Sequence, residues 1–192
     1  MSYRIGLDLG GTKVLGIVTD SEHKVVHRKK HRLSNRADIS AVMDQISNVY
    51  FELAGQLGDE KIASVGIALP SPVDNKLGLA KYLTAFQEKE LPVRDMLKER
   101  TGVDIKLGND VNMATLAEYK FGAGKGVSSL FTFYPGTGLG GGYIFEGRLV
   151  TGFNSTAAEV GHVVIDIDGP LCKCGRHGCL EAIVSYHGIK TM

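Results

Sequence analysis

The stretch Asp8-Leu9-Gly10-Gly11-Thr12-Lys13 joins two short apolar runs, residues 3–9 (YRIGLDL) and 13–20 (KVLGIVTD), and its reading decides the fold. Runs of this length rich in Ile, Leu and Val are strands. Two glycines between them make a reversal in which the backbone can approach an anion closely. The Thr12 hydroxyl and the N–H groups beside it suit phosphate oxygens, as backbone nests do. Asp8, at the end of the first strand, is placed to hold a Mg²⁺ through its waters. Gly10, Gly11, Thr12 and Lys13 complete this candidate cofactor-binding loop, for which an ordinary hairpin turn is the competing explanation.

A second turn of the same kind, Gly136-Thr137-Gly138-Leu139-Gly140-Gly141-Gly142, also lies between strand-like runs. It lacks the Gly-Lys-Ser/Thr ending of a Walker A loop, and no helix follows it as a dinucleotide fingerprint requires. Two Gly-Thr turns, each opening a sheet, point to a nucleotide held between two related domains. Gly136, Thr137 and Gly138 are the second set of candidate phosphate contacts.

Around these loops the pattern is mixed. Residues 24–33 form a third strand that turns basic, as a solvated edge does. Ile39, Val42, Met43, Ile46, Val49, Tyr50, Leu53 and Leu57 fall at helical spacing, and Gly58 stops that helix. A buried strand at 62–69 ends at Pro70-Ser71-Pro72. A second helix starts at Pro92 and stops at Gly102, a strand follows at 103–108, and a third helix runs from Asn109 to Phe121. The order β-β-β-α-β-α-β-α gives an α/β class with a mixed sheet and flanking helices. After Gly122 the texture changes to strands at 128–134, 141–146 and 148–151 and then to a loop-rich stretch. The expected domains are therefore 1–122 and an incomplete 123–192, which ends at Ile189-Lys190-Thr191-Met192 without helices to cover its sheet.

Composition removes several function classes. With 22 Lys+Arg against 21 Asp+Glu there is no basic excess for nucleic acid or an anionic membrane. No apolar run reaches the ~18 residues of a membrane helix, and Met1-Ser2-Tyr3-Arg4 opens directly into a strand, so the expected compartment is cytoplasmic. The 25 glycines among 192 residues cluster at the turns just described, where a backbone must approach something closely.

Two further constellations carry chemistry. Asn109-Asp110 follows a strand and opens a helix, where the dipole and N–H donors keep a carboxylate ionised. Asp110 is a candidate base accepting a hydroxyl proton during phosphoryl transfer, and an N-cap is the alternative. All three cysteines, Cys172, Cys174 and Cys179, lie within eight residues, and with His162 they form a complete tetrahedral zinc set with no open position. The implied zinc is structural, a staple for a segment with little core. His23, His27, His31, His177 and His187 are the other imidazoles available for the fourth position. Glu159 and Glu181 flank the cluster and offer carboxylates to vicinal hydroxyls of a sugar.

The combination of Asp8–Lys13, Asn109-Asp110-Val111-Asn112, Gly136–Gly138, Glu159-Val160-Gly161-His162 and Cys172-x-Cys174-Gly-x-x-Gly-Cys179-Leu180-Glu181 resembles the ROK family of repressors and sugar kinases. The resemblance covers nearly the whole chain in the family's order. It implies an actin/hexokinase-type fold, a ribonuclease-H-like domain followed by the start of a second such domain that carries the zinc loop. It further implies an ATP- and Mg²⁺-dependent kinase, glucokinase-like, phosphorylating a hexose or N-acetylhexosamine at its 6-hydroxyl, with Asp110 as base. Asn109, Asp110, Glu159, His162 and Glu181 would bind the sugar, with His162 also on zinc. Dimerisation is the family habit. Regulators of the family carry a DNA-reading module ahead of the first loop, and only seven residues precede Asp8, so no nucleic-acid partner is expected. A sugar- and zinc-binding protein without catalysis is the alternative. Ser71 departs from the family's Pro-Gly-Pro-Val turn, Asn154–Ala158 replaces a Gly-rich stretch, and Tyr134-Pro135 is unusual ahead of the second loop. The chain stops soon after Glu181, where the family continues into the rest of the second domain, and the resemblance therefore implies truncation.

Overall fold

A computed structural model describes residues 2–191; Met1 and Met192, the terminal residues of the readings above, lie outside the described residues. The first unit is built on β1 (Ser2–Leu9), β2 (Lys13–Thr19), β3 (Val25–Arg32), β4 (Lys61–Leu69) and β8 (Ile105–Asn109), in the order β3-β2-β1-β4-β8. β1, β2 and β3 pair antiparallel, while β1-β4 and β4-β8 are parallel. The mixed α/β sheet expected from the sequence is present.

Alternation decides which side of the sheet is covered. Ile5, Leu7 and Leu9 of β1, Val14 and Val18 of β2, and Val65, Ile67 and Leu69 of β4 are all buried. They meet Val42, Met43, Ile46, Val49 and Leu53 of α1 (Ile39–Gly55), whose helical spacing places them on one face. Asp38 caps this helix by accepting from the N–H groups of Ser40 and Ala41. α2 (Val93–Thr101) packs beside α1, and Arg100 ties the two together by donating to Asp44 at 2.6 Å and to Ser40 Oγ at 2.7 Å. Gly16 is what lets α1 sit close. A Cβ there would lie 2.6 Å from Leu53 Cδ1 and 2.7 Å from Val49 Cγ1.

The sequence reading leaves residues 73–91 blank, and they form a small antiparallel sheet of β5 (Val73–Asp74), β6 (Leu79–Leu83) and β7 (Glu88–Leu91). β5 has two residues and β7 four, too short for any period to register.

The second unit contains α3 (Asp110–Phe121) from Val111 onward and a sheet of β9 (Leu130–Pro135), β10 (Leu139–Phe145) and β11 (Arg148–Leu149). Contacts divide the chain into Met1–Asp110 and Val111–Met192, at the start of α3, where the sequence reading puts the boundary at 122–123. The helix groups with the second sheet for a physical reason. Gly140 and Gly142 lie against Val111 and Thr115, and the Thr115 and Thr132 hydroxyls are hydrogen-bonded. The opposite face carries Phe131, Phe133, Tyr143 and Phe145 in successive ring contact, and the three phenylalanines are exposed. The C-terminal stretch, which the sequence reading leaves without assigned elements, holds two short helices, α4 (Leu180–Val184) and α5 (Tyr186–Thr191). At five and six residues neither is long enough to show periodicity. Among the described residues no helix is long and apolar enough to cross a membrane.

Replacing Gly16 by Ala should force α1 from the sheet and lower the unfolding free energy by about 1–3 kcal/mol. The urea midpoint reads this directly. An unchanged midpoint would mean that Leu53 and Val49 have room to give.

Candidate functional site

The first loop closes through the Gly10 N–H, which donates to the Lys13 carbonyl at 2.9 Å, and Leu33 N–H donates to the Thr12 carbonyl at 2.9 Å. A Cβ on Gly10 or Gly11 would meet nothing nearer than 3.5 Å, and neither residue has a left-handed φ. The protein's own packing therefore does not require these two glycines. What they do is keep side chains off the turn. Asp8, two residues ahead, is partly buried, and burial raises its carboxyl above the ordinary 3.8 while the Lys13 charge works against that shift.

Parallel pairing of β4 with β8 ends at Leu69 opposite Asn109. This register sets the Pro70-Ser71-Pro72 turn beside the β8–α3 junction. The Asn109 side-chain amide donates to Asp110 Oδ1 at 3.0 Å and to the Ser71 carbonyl at 3.4 Å. Asp110 is the first residue of α3, so the candidate base sits at a helix N-terminus, as expected.

In the second unit the Gly136 N–H donates to the Gly138 carbonyl at 2.8 Å, closing the second loop. The turn is shorter than the glycine run suggests, because Gly140, Gly141 and Gly142 lie within β10. A Cβ on Gly136 would again meet nothing within 4 Å, whereas one on Gly138 would lie 2.5 Å from Glu181 Oε2. Glu181 Oε2 also accepts from the Leu139 N–H at 2.8 Å. The carboxylate expected among sugar ligands thus buttresses the phosphate-type loop. Tyr186 N–H adds a bond to the Gly136 carbonyl at 2.8 Å. Thr137, Cys172, Lys173, Glu181 and Ser185 line a pocket of about 160 Å³.

Glu159 and His162 flank a single 3₁₀ turn, Val160–His162, with His162 N–H donating to the Glu159 carbonyl at 3.1 Å. Gly161 is buried against the Leu139 carbonyl, and Val160 packs against Gly141. The structure therefore gathers Glu159, His162 and Glu181 around β10.

His162, Cys172, Cys174 and Cys179 offer four donor atoms within 4.8 Å of one another. Tetrahedral zinc with bonds of about 2.3 Å to sulfur and about 2.0 Å to nitrogen requires separations near 3.8 Å and 3.6 Å. Cys174 Sγ and Cys179 Sγ lie 3.6 Å apart, and Cys172 Sγ lies 3.7 Å from His162 Nδ1. The donor set fits zinc. Gly178, at φ 67°, permits the wrap, since a side chain there would run into the Asp166 carbonyl. The thiols differ before any metal arrives. The Arg176 backbone N–H, followed by its side chain, draws Cys174 down to about 6, while burial pushes Cys179 up to about 11. Of the other histidines, His31 lies 3.2 Å from Glu52 and His177 Nδ1 is 3.0 Å from the Gly169 carbonyl. The side chain of His187 lies outside the described residues.

A ROK family profile matches residues 4–192. The chain belongs to the ROK family. It is 35% identical over 188 residues to a glucokinase of Thermotoga maritima, covering 97% of this chain and 58% of that one. It is 29% identical to the DNA-binding transcriptional repressor Mlc of Escherichia coli, covering 97% of this chain and 47% of the repressor. A ROK glucokinase structure from Streptomyces griseus, in complex with glucose and AMPPNP, superposes with a TM-score of 0.83 at 32% identity, covering 97% of this chain and 58% of that one. The actin-like ROK fold read from the motifs is therefore confirmed, and this chain spans less than two thirds of these relatives' lengths.

Two residues beside these groups carry little signal in the sequence. Ser71 was legible only as a departure from a turn motif, and Lys173 in the pocket gave no signal. Two outcomes check the geometry. The purified protein should carry a single zinc ion by elemental analysis, and Cys172→Ser should lose it together with thermal stability; full retention of zinc would remove Cys172 from the set. Because the folded protein binds the Asp8 proton more tightly than the unfolded chain does, Asp8 lowers stability progressively as pH rises above 3.8. In magnesium-free buffer Asp8→Asn should raise the urea midpoint at about pH 7, with the gap closing below about pH 4. An equal gap at both values would contradict the buried carboxyl.

Proposed function

We propose that this chain is the sugar- and phosphate-binding part of an ATP-dependent kinase that phosphorylates the 6-hydroxyl of a hexose or N-acetylhexosamine. The observation that carries the reading is the β8–α3 junction, where Asn109 fixes one oxygen of Asp110 at the positive end of a helix. A carboxylate so held stays ionised and oriented, and phosphoryl transfer asks for positioning more than for a raised pKa. Asp110 takes the proton of the attacking hydroxyl. Asn109, Glu159, His162 and Glu181 bind the remaining sugar hydroxyls. With His162 Nδ1 turned to the cysteine sulfurs, Nε2 is the nitrogen for a hydroxyl, so zinc would orient a sugar ligand.

The unencumbered glycines of both loops, Gly10, Gly11 and Gly136, support phosphate binding, since nothing in the protein demands them. Thr12, Lys13 and Thr137 supply donors there. Asp8 would hold Mg²⁺ through water, and the ion when bound neutralises charge on the phosphates. The glucokinase relatives favour this reading. The second reading, a sugar- and zinc-binding regulator without turnover, is favoured by the similarity to the Mlc repressor.

The two separate on Asp110→Asn. Sugar-dependent ADP release, measured against a panel of hexoses and N-acetylhexosamines, should fall by about 10²–10⁴-fold in the variant. The sugar dissociation constant by calorimetry should change little. Turnover that survives the substitution would remove Asp110 as base, and sugar binding with no turnover in the unsubstituted protein would favour the regulator.

A further inference from the structure

The Pro70-Ser71-Pro72 turn carries a side chain with no place in the reading above. Ser71 is 2% exposed, so its hydroxyl does not reach into open space toward a ligand. It is instead hydrogen-bonded on both sides, donating to the Pro72 carbonyl at 2.8 Å and accepting from the Tyr82 N–H of β6 at 2.9 Å. The Lys81 N–H donates to the same Pro72 carbonyl at 2.9 Å, and the Ser71 N–H donates to the Leu69 carbonyl at 2.8 Å. Four hydrogen bonds thus pin one turn between the end of β4 and the middle of β6. The Ser71 carbonyl, fixed by that pinning, accepts from Asn109 Nδ2.

A primary amide has two N–H donors. At Asn109 one goes to Ser71 and the other to Asp110. Those two acceptors set which end of the amide is nitrogen and hold its plane, which in turn holds Asp110 Oδ1. We infer that Ser71 is a positioning residue for the Asn109–Asp110 pair, acting from β6 through its own carbonyl and the Asn109 amide. This rests on the kinase reading for its effect on turnover, while the hydrogen-bond relay itself does not. A glycine at this position would leave the Tyr82 N–H without its side-chain acceptor. The turn would then be held by the Pro72 and Leu69 carbonyls alone, and the acceptor for Asn109 would be free to drift.

The test uses Ser71→Gly and Ser71→Ala in the full chain, each also combined with Asn109→Ala. In the ¹⁵N spectrum of the sugar-free protein, the Asn109 side-chain amide is identified by its loss in Asn109→Ala. It should exchange its hydrogens slowly in the unsubstituted protein and faster in both Ser71 variants. In kinetics, Ser71→Gly should lower kcat/KM for the sugar by about five- to tenfold while KM for ATP holds. In the Asn109→Ala background the same substitution should have little further effect, because a residue that acts through another is not additive with it. A merely structural Ser71 would lower the melting temperature, leave the Asn109 amide unchanged, and add in full to Asn109→Ala; that pattern overturns the inference. Should the unsubstituted protein show no sugar-dependent turnover, the kinase reading fails, and the amide signal still decides whether Ser71 holds Asn109. If one variant does not fold, the other carries both measurements.

Discussion

Everything at the candidate base depends on a register. Parallel pairing of β4 with β8 runs from Val65 opposite Ile105 to Leu69 opposite Asn109, and its last rung sets a Pro-Ser-Pro turn beside the first residue of α3. Buried Val65, Ile67 and Leu69 alternate with half-exposed residues along β4. A slip of one residue would turn that apolar set away from α1, so the register is fixed by the core and not by the turn. The Asn109–Asp110 geometry is therefore downstream of hydrophobic packing along the same face of the sheet, where Ile105 and Leu107 precede Asn109 in the core. The polar contacts at the junction, each worth about 0.5–1.5 kcal/mol, refine a placement that burial has already decided.

The second unit is organised differently. The contiguous apolar cluster consists entirely of residues between Ile5 and Leu107, so none of it comes from the second unit. There, a few buried side chains such as Leu139 and Ile144 are supplemented by close backbone approach and by the cysteine cluster. Gly161 against the Leu139 carbonyl, Gly138 against Glu181 and Gly178 against Asp166 each bring chain segments nearer than a Cβ would allow. A segment held this way has little burial to resist opening, which is where a closed four-donor metal site contributes most. The same physics explains why residues with expected chemical roles, His162 among the donors and Glu181 two residues after Cys179, sit so near the cluster. Order in this region is local to the cysteine cluster.

What was legible in the sequence follows from these two regimes. The five-stranded sheet and α1 announced themselves because long periodic runs pack on one face, and the four-donor cluster because its three cysteines lie within eight residues. The β5–β7 sheet was not legible, since strands of two to five residues carry no period. Nor was the start of the second unit at Val111, because the contacts that assign α3 to the second sheet are made by Gly140 and Gly142, which look like loop residues when read along the chain. The support of Asn109 by Ser71 was hidden for another reason. It passes through a backbone carbonyl, which every residue has, so side-chain type could not reveal it.

The glycines separate structural need from chemical need. Gly16 and Gly142 face neighbours that a Cβ would strike, and Gly178 adopts a φ that other residues rarely accept. Their presence is explained by the fold. Gly10, Gly11 and Gly136 have no such neighbour and no such φ, and for a residue in a turn the loss of side-chain constraint is a net entropic cost on folding. A cost without a packing return points to something outside the polypeptide that needs the space. Each turn contains a threonine, Thr12 or Thr137, and each has a carboxylate close by in the chain or the fold, Asp8 in one and Glu181 in the other. Each unit carries one such turn, Asp8–Lys13 in the first and Gly136–Gly138 in the second. In each unit separately, packing accounts for some glycines and leaves those of the turn unexplained by the fold.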